Sequence, residues 1–155
     1  MNQLTQLYQY FKDLANADSL VNSVRKLNPD AMALDKELIF PLVNVFIEAG
    51  SFNNGSTIVF NVVLSAWDIR DKNNEVITDQ FWGQDNEVDN HNMALAVLNR
   101  IWLTMLTDFE KLNITSSENP TFTLGSFEGA KLLDGAVLEF EVEVPNTTIN
   151  LCQGT

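Results

Sequence analysis

The chain holds one histidine and one cysteine, so imidazole or thiolate chemistry must run through His91 or Cys152. His91 stands in Asp85-Asn86-Glu87-Val88-Asp89-Asn90-His91-Asn92, a run dense in oxygen donors. Asp85, Glu87 and Asp89 are of the right type to hold a divalent cation. Their spacing departs from the EF-hand loop: no glycine falls where that loop must turn, and no glutamate closes it. Helix capping and a solvated loop account for the same residues. The 21 acidic residues offer many carboxylate pairs of the kind that hydrolyse glycosides, but no flanking motif marks any pair out. Cys152 has no local His or Lys to lower its pKa, so it is a poor nucleophile. No glycine-rich phosphate-binding sequence occurs. The expectation is a protein that is not an enzyme, with no catalytic residues, no cofactor and no metal.

The large aromatics are the other candidates for function. Trp102 falls in a helical apolar stripe and reads as core. Phe81 and Trp82 lie in an acidic loop beside Gly83, where an aromatic pair docks either on its own domain or on a partner.

These residues must be positioned by a chain of 155 residues, read as one domain spanning 1–155. Its 45% hydrophobic content is ordinary for a folded protein, whereas a net charge of −12 is not. Such acidity disfavours nucleic-acid binding, and the nine basic residues are scattered along the sequence. The charge serves either solubility or an acidic surface past which a polyanion slides without sticking. A single cysteine excludes an internal disulfide and fits a reducing cytoplasm. No apolar run is long enough to span a bilayer, and the N-terminus lacks the pattern of a secretory signal.

Apolar spacing predicts a helix over 3–16, with Leu4, Leu7, Tyr8, Phe11 and Leu14 on one face. A short irregular strand is expected within 20–27, ended by Asn28-Pro29. Two long strands follow, 38–48 and 57–67, joined by Ser51-Phe52-Asn53-Asn54-Gly55-Ser56, where Gly55 takes positive φ. Both faces of this hairpin are apolar, so both are expected to be covered, by helices or by a neighbouring subunit. An acidic loop over 68–89 leads to a helix over 90–112 that buries Ala94, Leu95, Leu98, Ile101, Trp102, Met105, Leu106 and Phe109. Asp89 or Asn90 is the expected N-cap, and Asn113 the stop. Strands over 121–127 and 136–144 close the chain; Glu139, Glu141 and Glu143 form an acidic face about 7 Å apart along the last one. The expectation is a single α+β domain of order α-β-β-β-α-β-β. A mostly antiparallel, mixed sheet is packed by an N-terminal and a long central helix.

Three segments carry a family resemblance. They are Phe40-Pro41-Leu42-Val43-Asn44-Val45, the strand from Phe60 to Leu64 continuing to Trp67-Asp68-Ile69, and the link from Asp79-Gln80-Phe81-Trp82-Gly83 to the helix at 90–112. In their order and style they resemble the tail terminator and neck (head–tail joining) proteins of tailed bacteriophages, including crAss-like and other phages of Bacteroidetes hosts. The polar stretch 28–37 departs from that pattern. The resemblance implies a structural ring, hexameric or dodecameric, that joins tail and head-side or portal-side proteins in the virion. It further implies that DNA passes nearby without specific binding, and that the subunit resides in the host cytoplasm before assembly, away from membranes. Interface candidates are then Phe52, Asn53, Asn54, Phe81, Trp82, Asp85, Glu87 and Asp89. The alternative is a soluble module holding a ligand or peptide with the Phe81-Trp82 loop.

Overall fold

A computed structural model of the chain describes residues 3–28, 38–71, 81, 86–129 and 131–146. Within them two helices, α1 (Gln3–Ala17) and α2 (Glu87–Leu112), pack on a six-stranded sheet. The strands are β1 (Ser23–Arg25), β2 (Leu42–Asn53), β3 (Thr57–Ile69), β4 (Thr115–Ser116), β5 (Thr121–Glu128) and β6 (Leu132–Pro145). Their order across the sheet is β1-β2-β3-β6-β4, with β5 also paired to β6. β1 runs parallel to β2, and every other pairing is antiparallel. The mixed α+β architecture and element order match the expectation, apart from the two-residue β4.

Strand periodicity decides which face each residue takes. Val43 and Val45 of β2, Val62 and Leu64 of β3, and Leu138, Phe140 and Val142 of β6 meet Leu7 and Phe11 of α1 and Ala94, Val97, Ile101 and Met105 of α2 in one core. Both helices therefore cover the same face. On the opposite face a second, smaller cluster forms at one end: Leu38 joins Leu42, Trp67 and Leu133, with Leu27 and Phe40 packed against them. Asn44, buried in β2, holds Leu27 in place. Its side chain accepts from the Leu27 amide at 2.8 Å and donates to the Leu27 carbonyl at 2.9 Å. Trp67 lies in register with Gly135, and a Cβ on that glycine would come within 2.6 Å of the indole ring as well as striking the Ala66 carbonyl.

Several boundaries move. β2 begins at Leu42, after the cis Phe40–Pro41 peptide, and continues through Asn53, so Ser51, Phe52 and Asn53 belong to the strand and the turn shrinks to Asn54-Gly55-Ser56. Asn54 (φ 49°) and Gly55 (φ 74°) both adopt the left-handed conformation a tight hairpin needs. A bulge between Ile47 and Ala49 shifts the register, and beyond it Ala49 to Asn53 are exposed. Among the described residues the hairpin is thus covered on both faces only near its base. α2 starts at Glu87, with Asn86 as N-cap, instead of at Asp89 or Asn90, and Asn113 ends it in the left-handed region as expected.

Candidate functional site

Among the described residues, a dense polar constellation lies where β3 and β6 meet the N-terminus of α2. Asp134 is fully buried in β6. Its carboxylate accepts from Arg70 Nη2 at 2.6 Å and Nε at 3.0 Å, from Ser126 Oγ at 2.5 Å and from Asn90 Nδ2 at 3.4 Å. Arg70 also reaches Glu87 at 3.0 Å. Asn90 and Asn86 both donate to the Ile69 carbonyl, and Asn86 accepts from the Asp71 amide, stitching the end of β3 to the helix. Burial pushes the Asp134 pKa up. The hydrogen bonds from Arg70 and Ser126, the Arg70 charge and the Asn90 contact outweigh it, leaving a pKa below the ordinary carboxylate value.

Glu87, His91 and Asp134 present ligand atoms within 4.8 Å of one another, a donor set that suits a transition metal by residue type. The guanidinium of Arg70 already supplies the positive charge between Glu87 and Asp134. His91 turns its Nε2 to the Gly125 carbonyl at 3.2 Å, tying α2 to β5. A cation would have to displace Arg70 from a buried carboxylate, so the constellation works as a clasp. Of the acidic triplet, Glu87 serves this clasp, Asp89 is exposed in the first turn of α2, and Asp85 lies outside the described residues. Of the described pair, only Glu87 takes part in the clasp.

The other candidates fall elsewhere. Phe52 is 79% exposed near the hairpin tip, where Asn53 Nδ2 donates to Glu143 at 3.0 Å. Thr57 also donates to Glu143, whereas Glu139 and Glu141 stand exposed on the open part of the sheet face. Phe81 is 77% exposed; Trp82, like Cys152, lies outside the described residues.

The least expected surface is β5. Its seven residues other than Gly125 are all exposed, and among the described residues it pairs with β6 alone, leaving its outer edge open. Phe122 and Leu124 stand on the helix side of this strand beside a groove of about 600 Å³, lined by Leu95, Leu98, Trp102, Pro120 and Leu138, with Glu118 on its wall. The Trp102 ring meets Phe140 edge-on at 5.1 Å, so this half-buried indole packs on the core and also lines the groove. Leu106, expected to be buried, is 40% exposed on the same helix. Alternation in Thr121-Phe122-Thr123-Leu124 signals a half-buried strand, and sequence reasoning had no means to see that its apolar side is exposed among the described residues.

Among the described residues no helix is long and apolar enough to cross a membrane. Compared with models of known protein families and with the sequences of characterised proteins, the chain gives no match.

Proposed function

We propose that this chain is a structural subunit that assembles with copies of itself into a ring of the phage tail or neck type. The ring joins tail to head-side proteins and lets DNA pass. The observation that carries this reading is the β5 edge, open among the described residues, with its apolar flank: Phe122 exposed at the Trp102 groove and Leu124 exposed on the same strand. A strand with a free edge and exposed apolar side chains is an aggregation hazard unless a specific partner covers it. A subunit of a closed assembly resolves that hazard, since every copy covers its neighbour's edge. The polar clasp supports the same reading, because its ionisable groups are committed to joining α2 to the sheet. The phage setting comes from the resemblance of the hairpin and of the link into α2, and the net charge of −12 suits a wall that DNA must not grip.

Sedimentation velocity and negative-stain imaging of the purified chain test this. The expected result is a discrete ring-shaped oligomer that Phe122→Glu converts to a folded monomer. A wild-type chain that stays monomeric at high concentration, with β5 accessible to solvent, would sink the proposal. Exposed Phe81 keeps a ligand-binding loop as the second reading, and saturable binding of a peptide to the monomer would favour it.

A further inference from the structure

The sheet has two unlike ends. At one, β5 carries its apolar flank among carboxylates: Glu118 lines the groove, Glu128 ends the strand, and Glu139 sits opposite Thr121. At the other end, β1 is a three-residue strand paired to β2, with α1 beside it.

The cations are distributed just as unevenly. Seven of the nine basic residues lie among the described residues. Arg70 and Arg100 are committed to ion pairs, with Glu87 and Asp134 and with Asp18. The Lys131 ammonium sits 5.5 Å from the centre of the Phe40 ring, and Lys111 stands in the last turn of α2. The remaining three, Lys12, Arg25 and Lys26, are exposed and line a single groove between α1 and β1. Among the described residues no carboxylate lines that groove, whose other walls include Tyr8, Val24 and Val45. Lys26 lies over the Tyr8 ring at 4.9 Å, which holds its charge near the groove.

We infer that copies of this chain join head to tail, the carboxylate-flanked β5 edge of one receiving the Lys12–Arg25–Lys26 edge of the next. The inference rests on the self-assembly proposed above and adds which surface the neighbour brings. A two-fold contact pairing β5 antiparallel with its own copy would set Glu128 of one copy toward Glu118 and Glu139 of the other, and like charges brought together at an interface oppose it. The head-to-tail contact matches opposite charges and leaves one open edge of each kind on the growing assembly. It therefore repeats until the rotation closes a ring.

Charge reversal of the full-length chain tests the pairing, with assembly read by sedimentation velocity and folding by thermal melts. One variant carries Arg25→Glu and Lys26→Glu; the other carries Glu118→Lys and Glu139→Lys. All four positions are exposed, so both variants should fold. Each alone should assemble more weakly than wild type by on the order of a hundredfold. An equimolar mixture should recover the oligomer, because each variant's altered edge then meets a complementary one, and the alternating ring must contain an even number of subunits. A single chain carrying all four changes should also assemble. If wild type assembles and either reversal assembles equally well, or if the mixture stays monomeric, the pairing of edges is wrong while self-assembly stands. A monomeric wild type overturns self-assembly and the pairing with it. Should a reversal variant misfold, Arg25→Gln with Lys26→Gln replaces it; assembly that keeps the wild-type salt dependence in that variant overturns the pairing.

Discussion

Asp134 shows how much a single buried carboxylate holds together here. It anchors Arg70, Ser126 and Asn90, residues from the end of β3, from β5 and from α2. Asp134→Asn removes the charge that compensates a mostly buried guanidinium and should cost about 3 kcal/mol, measured by urea unfolding. The pH dependence follows from the lowered pKa. Asp134's contribution is fully present above the unfolded carboxyl value of about 4 and is lost as pH falls through the lower folded value. Wild type should therefore lose stability on acidification more steeply than Asp134→Asn; parallel pH profiles would show that the clasp carries no net charge energy. Gly135→Ala should be at least as damaging, because the added methyl meets the Trp67 ring and the Ala66 carbonyl, and overpacking of this kind costs about 1–3 kcal/mol or more. His91 and Asp134 are 43 positions apart, and their meeting depends on β6 pairing with β3 beneath α2. The sequence window around His91 showed the donors of α2 but not the buried carboxylate or the arginine that complete the cluster.

Elements were legible where periodicity and turn chemistry agree. The hairpin, α1 and the last strand follow their patterns, and Asn113 stops α2 as a left-handed residue. The start of α2 was not legible, because Asp85 to Asn92 offer several residues of the N-cap type and only tertiary contacts choose among them. Asn90 is claimed by Asp134 and the Ile69 carbonyl, so the helix begins upstream. The width of the apolar stripe misled in another way. Leu95, Trp102 and Leu106 have helical spacing, but spacing does not say whether the covering surface lies within the chain or on a neighbour. At the hairpin, Gly55→Ala should cost about 1 kcal/mol, since φ of 74° strains any residue with a Cβ although the space around it is open. On β5, Leu124→Thr should change unfolding free energy by less than about 0.5 kcal/mol while weakening self-association. A large loss of stability there would mean that the strand's apolar flank is core in the monomer.

At the scale of the whole molecule, one end of the sheet gathers Lys12, Arg25 and Lys26, and the other sets Glu118, Glu128 and Glu139 along β5 and its apolar groove. Assembly across these ends should weaken as ionic strength rises, because at about 0.15 M salt charges are screened over about 8 Å. The apolar part of the contact should persist, so dissociation constants measured between low and high salt should rise without assembly vanishing. A salt-independent constant would place the contact elsewhere. One further consequence comes from the place of β6. It is the last described strand in the sequence, yet it lies between β3 and the β4–β5 edge, and both of those edge strands pair with it. On the ribosome, β5 is made before the strand that must hold it. A nascent chain that stops short of residue 132 has no β6 for β5 to pair with and cannot display the docking edge in place. Under the proposed assembly, completion of β6 would act as a licence to dock, and chains terminated before it would be kept out of a growing oligomer.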